Sequence, residues 1–170
     1  MKTFRMAMLT VGGLGHAPIA SGTFGSIPPV VLAFVLVQLS QPHWVVNLCL
    51  VLLAIAFSIA CVRFGAYAES TFGKKDPGQV VADEVAGQSV ALLFLPWAEP
   101  GTEGALGWNA LLAVAAFIAF RFFDILKPPP ARNLERIQGG TGILVDDLVT
   151  GLMALIAVQI LSHLALWLWY

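Results

Sequence analysis

The sequence predicts an all-α, polytopic integral membrane protein of about five transmembrane helices with a cytoplasmic N-terminus, and three observations predict it. Hydrophobic residues make up 58% of the 170 residues and charged residues only 11%, whereas soluble domains average roughly 25% charged. So small a charged share cannot cover a surface in water, and the mean hydropathy of +0.84 agrees. Apolar runs recur at lengths close to the ~20 residues that cross the hydrocarbon layer. Finally, every Lys and Arg falls on one side of the topology that these runs generate. At this length one membrane-embedded domain, 1–170, is expected.

Taken in order, MKTFRMAMLTVGGLGHAP carries basic residues but only a short, glycine-broken apolar run, a poor match to a signal peptide. The expected spans are 25–40, 43–62, 80–97, 105–122 and 147–169. The first is short, and the third carries Asp83 and Glu84 near its start. Five crossings leave the N-terminal segment, the 63–79 loop and the 123–146 loop on one face. Lys2, Arg5, Arg63, Lys74, Lys75, Arg121, Lys127, Arg132 and Arg136 all lie on that face and none on the other. Since Lys and Arg concentrate in cytoplasmic loops, this face is expected to be cytoplasmic, with the C-terminus opposite. Cys49 and Cys61 share one apolar run without metal-ligand spacing and are expected to be packing residues.

The acids sort the same way. Glu99 and Glu103 fall outside, while Glu69, Asp76, Asp83, Glu84, Asp124, Glu135, Asp146 and Asp147 fall at or near the cytoplasmic boundary. Four polar segments meet there. Residues 12–29, GGLGHAPIASGTFGSIPP, form a Gly-rich approach to a helix. Thr23 or Ser26 would cap that helix, or its free N–H groups would bind a phosphate beside them. In residues 74–88, KKDPGQVVADEVAGQ, Asp83 and Glu84 point about 100° apart on a helix. Gly87 there would admit a close backbone. A carboxylate costs a few kcal/mol within a span, so the pair needs a partner or a purpose.

In residues 120–130, FRFFDILKPPP, Arg121, Asp124 and Lys127 follow one stripe at spacings of three. They form either an ion-pair ladder at a helix end or a phosphate grip by Arg121 and Lys127. Residues 138–151, QGGTGILVDDLVTG, lead a glycine turn into Asp146 and Asp147, which would either cap a helix or hold a cation. Asp83, Glu84, Asp124, Asp146 and Asp147 are hard oxygen donors of the kind Mg²⁺ takes, and no His/Cys cluster offers a zinc site. His16 is a candidate local acid or base, whereas His43 and His163 fall toward the other face.

Four of these pieces, PIASGTFGS (18–26), DPGQVVADEVAG (76–87), FRFFDILKP (120–128) and GGTGILVDDLVTG (139–151), occur in an order that resembles the phosphatidylglycerophosphatase A family. With the spans between them they cover nearly the whole chain. Ser21 stands where that family usually has Pro, and KPPPA replaces KPWPI at Pro129 and Ala131. The resemblance implies a small Mg²⁺-dependent phosphatase of the inner membrane. Such an enzyme removes the terminal phosphate of phosphatidylglycerophosphate, a membrane phospholipid, to leave phosphatidylglycerol.

The expected catalytic set is Asp83, Glu84, Asp124 and Asp147. Asp83, Glu84, Asp146 and Asp147 are the expected metal ligands, and Arg121, Lys127, Thr23 and Ser26 the phosphate-binding groups. Attack by water and a covalent aspartyl-phosphate both remain open. No nucleic-acid partner is expected, and the sequence sets no oligomeric state. Phosphatases of other lipid phosphates and an ion- or proton-coupled carrier are the alternatives, a carrier requiring acids through the depth of the membrane. A lipid-binding assembly factor would explain the bases but not the clustered acids.

Overall fold

In a computed structural model, residues 2–134, 137 and 139–169 are described, and the helices over these residues are α1 (Lys2–Leu9), α2 (Ser21–Gln38), α3 (His43–Phe72), α4 (Ala82–Ala91), α5 (Ala105–Leu126), α6 (Ala131–Leu134) and α7 (Gly140–Trp169). A single 3₁₀ turn, Leu14–His16, precedes α2. No strand occurs among the described residues. Arg136 and Glu135, counted above on the basic face, lie outside them.

Four helices, α2, α3, α5 and α7, are long and apolar enough to cross a membrane. Leu48, Leu52, Ile55, Leu111, Val114, Ile118, Ile156 and Ile160 are exposed on their outer faces, an arrangement that suits lipid rather than water. The expectation of five transmembrane helices is corrected at the third. Residues 80–97 do not form one helix, because α4 ends at Ala91 after only ten residues. That is about 15 Å, half the hydrocarbon thickness. Leu92 and Leu93 donate to carbonyls three residues back, Phe94 turns at φ 55°, and Pro96 then brings no amide hydrogen.

The chain continues to the far end of the bundle without a helix, and polar side chains of the neighbouring helices hold it. Asn47 accepts from the Phe94 amide at 2.7 Å, and Gln159 donates to the Phe94 carbonyl at 2.6 Å. Asn109 both accepts from the Ala98 amide at 2.8 Å and donates to its carbonyl at 2.9 Å, while the Trp108 indole donates to the Pro96 carbonyl at 2.8 Å. Irregular backbone survives at membrane depth only when its polar groups are satisfied in this way. Leu92, Leu95 and Trp97 pack with Ala33, Val37, Leu50, Leu112 and Val158 into the core of that end.

At the opposite end lie the starts of α2, α4 and α7 and the ends of α3 and α5. The described bases fall on segments surrounding this end: α1, the second half of α3, the 73–81 loop, the end of α5, and α6. Arg5 of α1, for example, stacks 5.6 Å from the rings of Phe64 and Tyr67 on α3. Cys49 and Cys61 are both free, and Cys61 is buried.

Candidate active site

The site is assembled where α4 crosses α7. The Leu9 carbonyl takes the Val81 amide at 2.9 Å and starts α4 at Ala82, so Asp83 and Glu84 occupy its first turn. Farther along, Gly87 of α4 lies against the backbone of α7. A Cβ added at Gly87 would strike the Asp147 carbonyl and the Phe120 ring, and one at Gly151 would strike the Gly87 carbonyl. Two glycines thus let the helices touch backbone to backbone, bringing Asp147 beside the acidic pair. A second close approach, Gly65 of α3 on Gly140, fixes the start of α7.

Asp83, Glu84 and Asp147 each turn a carboxylate oxygen to one point, the three oxygens lying within 4.8 Å of one another. Asp83 and Asp147 are 6% and 3% exposed. Their Oδ1 and Oδ2 atoms respectively, and Glu84 Oε2, are buried without a hydrogen-bond partner. Three mutually repelling acids with unanswered oxygens in a dry interior call for a cation. Ligands at about 2.1 Å from Mg²⁺ stay within roughly 4.2 Å of one another, so small side-chain movements close the set on an ion. The donors fit.

On the other side of Glu84 stands α5. Arg121 pairs with Asp124 at 2.8 Å, and both side chains are largely buried. Asp124 is also close enough to Glu84 and Asp147 to repel both. Gly22 of α2 makes room for this group, because a Cβ there would collide with the Glu84 carboxylate and crowd the Arg121 guanidinium. Arg121 Nε is buried without a partner. A positive group with a donor to spare therefore borders the acidic trio.

The family model for phosphatidylglycerophosphatase A matches residues 7–162. The chain belongs to the phosphatidylglycerophosphatase A family. A phosphatidylglycerophosphatase A of Haemophilus influenzae is 34% identical over 92% of this chain and 88% of its own length. That of Escherichia coli is 30% identical over 92% and 83%. A Bacteroides thetaiotaomicron protein provisionally named a phosphatidylinositol-3-phosphatase is 31% identical over 87% of each chain. No solved structure matches.

In this chain the candidate residues divide into groups. Asp83, Glu84 and Asp147 come together, with Asp124 and Arg121 beside them. Asp146, one residue earlier on α7 and so turned about 100° from Asp147, faces elsewhere and is bound by Lys127 Nζ at 2.6 Å. Lys127 leaves the stripe of Arg121 and Asp124, because α5 ends before it and its own backbone is left-handed. Thr23 lies in the first turn of α2 next to Gly22. Ser26 is buried and its hydroxyl donates to the Gly22 carbonyl at 2.8 Å. Neither caps α2, which begins at Ser21 behind Ala20.

His16 lines a cavity of about 460 Å³ with Ser21, Phe72, Lys74 and Gln79. His43 and His163 lie at the far end, on Glu99 and Gln159 respectively. Sequence reasoning gave Gly22, Asn47 and Gln159 no role. The isolated amides were the available signal for the last two, since an unpaired polar group in a span needs a partner. Gly22 carried no signal separating it from the neighbouring loop glycines.

Proposed function

We propose that the protein is a Mg²⁺-dependent lipid phosphatase of the inner membrane that hydrolyses phosphatidylglycerophosphate to phosphatidylglycerol and phosphate in phospholipid biosynthesis, acting at the cytoplasmic face. Family membership makes it a hydrolase of a phosphomonoester. The observation that carries the rest is the trio Asp83, Glu84 and Asp147, each with a buried, unanswered carboxylate oxygen, at the end of the bundle where the bases gather. A lipid phosphate lies at that level and can reach it by lateral diffusion.

Asp83, Glu84 and Asp147 would hold the cation. Bound there, Mg²⁺ supplies neutralisation of the phosphate charge and a water acidic enough to attack at neutral pH. Arg121, oriented by Asp124, offers Nε to a phosphoryl oxygen as charge grows on it. In direct hydrolysis, water oxygen bonds to phosphorus, the bond from phosphorus to the glycerol oxygen breaks, and that oxygen takes up a proton. In the covalent route a site carboxylate attacks first and water then releases phosphate. Labelled phosphate retained on acid-quenched protein distinguishes the second from the first.

A carrier would need a polar route to the far end. Asn47, Asn109 and Gln159, which lie on that route, are instead engaged with backbone groups. The test is phosphate release by the purified protein from a panel of phosphatidylglycerophosphate, phosphatidic acid, a phosphoinositide and a soluble phosphomonoester, with and without Mg²⁺. Preferred release from phosphatidylglycerophosphate is expected. Equal turnover of the soluble ester would remove lipid specificity from the account.

A further inference from the structure

The trio is closed in this structure. Asp83 Oδ1, Glu84 Oε2 and Asp147 Oδ2 are buried, so neither an ion nor a phosphate reaches them until a wall of the site moves. Several walls are locked. α4 meets α7 backbone to backbone at Gly87 and Gly151, α3 meets α7 in the same way at Gly65 and Gly140, and the Phe120 ring of α5 lies on Gly87.

The first two turns of α2 are a different kind of wall. They cover Glu84 and Arg121 at Gly22, and the buried residues of α2 before Pro29 are Gly22, Gly25 and Ser26. Gly22 rests on the ends of two flexible side chains, Gly25 rests on Val81, and the Ser26 hydroxyl is turned back to the Gly22 carbonyl. So smooth an inner face separates without unpacking a large side chain.

Both ends of this segment are built to bend. Pro28 and Pro29 lie inside α2 and deprive the Phe24 and Gly25 carbonyls of their helical amide donors. At the other end Ala20 is left-handed at φ 52° and gives no side-chain cap, while the chain before it is pinned where Gly15 lies on the Gln79 carbonyl. One exposed hydrogen bond, from the Ser21 hydroxyl to the Gly78 carbonyl at 2.5 Å, latches the segment to the 73–81 loop. Its outer face carries the exposed Phe24 and Ile27, with Ile19 79% exposed just ahead, a surface that suits acyl chains.

We propose that residues 21–27 form a lateral gate, which swings about Pro28 and Pro29, breaks the Ser21–Gly78 latch and admits a lipid phosphate to the trio between α2 and α5. The inference rests on the lipid-phosphatase reading above and adds to it the route of entry and the moving part.

The test locks the gate. In a variant lacking Cys49 and Cys61, Ser21→Cys and Gly78→Cys place two sulfurs where the latch stands. Gly78 leaves room, since a Cβ there would lie 3.8 Å from Ser21 Oγ, close to the reach of a disulfide. Oxidation should abolish phosphate release from phosphatidylglycerophosphate in the presence of Mg²⁺, and dithiothreitol should restore it. Full turnover by protein that carries the disulfide overturns the gate. A second variant needs no disulfide, because Pro28→Ala with Pro29→Ala returns two helical hydrogen bonds that opening must then break. It should melt higher than the wild-type protein, yet its kcat/KM should be lower by roughly 5- to 150-fold, the factor for two hydrogen bonds. Unchanged or raised kcat/KM in that variant overturns the gate as well. Release of phosphate from no lipid by the wild-type protein is a separate result, which overturns the phosphatase reading itself.

Discussion

At Asp83, Glu84 and Asp147, burial and like charge act together, since the oxygens share a space of 4.8 Å and two of the acids are nearly inaccessible. Removing one charge should therefore affect stability and chemistry in opposite ways. In EDTA, Asp147→Asn is expected to melt at or above the wild-type temperature, because a repulsion is relieved. Added Mg²⁺ should stabilise the wild-type protein by about 2.7 kcal/mol at 100 times its dissociation constant, and the variant far less. Activity should fall about 100-fold or more in Asp147→Asn. Thermal melting in detergent with a parallel phosphate assay reads both effects. At Gly22 the neighbour is the end of a flexible acid side chain. Gly22→Ala should accordingly lower kcat/KM by displacing Glu84 while shifting the melting temperature little.

Two features belong to whole elements: the α4–α7 crossing and the broken third span. The crossing is backbone on backbone at Gly87 and Gly151, where nothing soft can yield. Gly151→Ala should therefore cost about 1–3 kcal/mol in stability, seen as a lower melting temperature alongside reduced activity. The non-helical stretch after α4 depends on Asn47 and Gln159. Asn47→Leu should destabilise by about 1–3 kcal/mol through the unanswered Phe94 amide, while molecules that remain folded keep their turnover. The long helices were legible because hydropathy measures side chains, and α3 and α7 are apolar over many turns. The same measure read 80–97 as a span because its side chains are equally apolar. It cannot register that the Phe94 amide and carbonyl and the Pro96 carbonyl take their partners from other helices.

Across the whole molecule, the end bearing the acidic trio is also the end where the bases lie, and the orientation proposed above follows from that coincidence. In a variant lacking Cys49 and Cys61, a cysteine introduced at Lys74 should be labelled by an impermeant thiol reagent only after the cytoplasmic side is exposed. One at Gln41 should be labelled in intact cells. The reverse pattern would invert the topology. The site's four source segments were legible from their acids and glycines. What the sequence left undivided was the pair Asp146 and Asp147, whose separate directions depend on how α7 is rotated against α4, which Gly87 and Gly151 determine.

The most direct measurement of the central claim is phosphate release from phosphatidylglycerophosphate by purified protein stripped with EDTA and then titrated with Mg²⁺. The arrangement of Asp83, Glu84 and Asp147 predicts no release from the stripped protein and saturable recovery as the ion is added. Full turnover in excess chelator would contradict it.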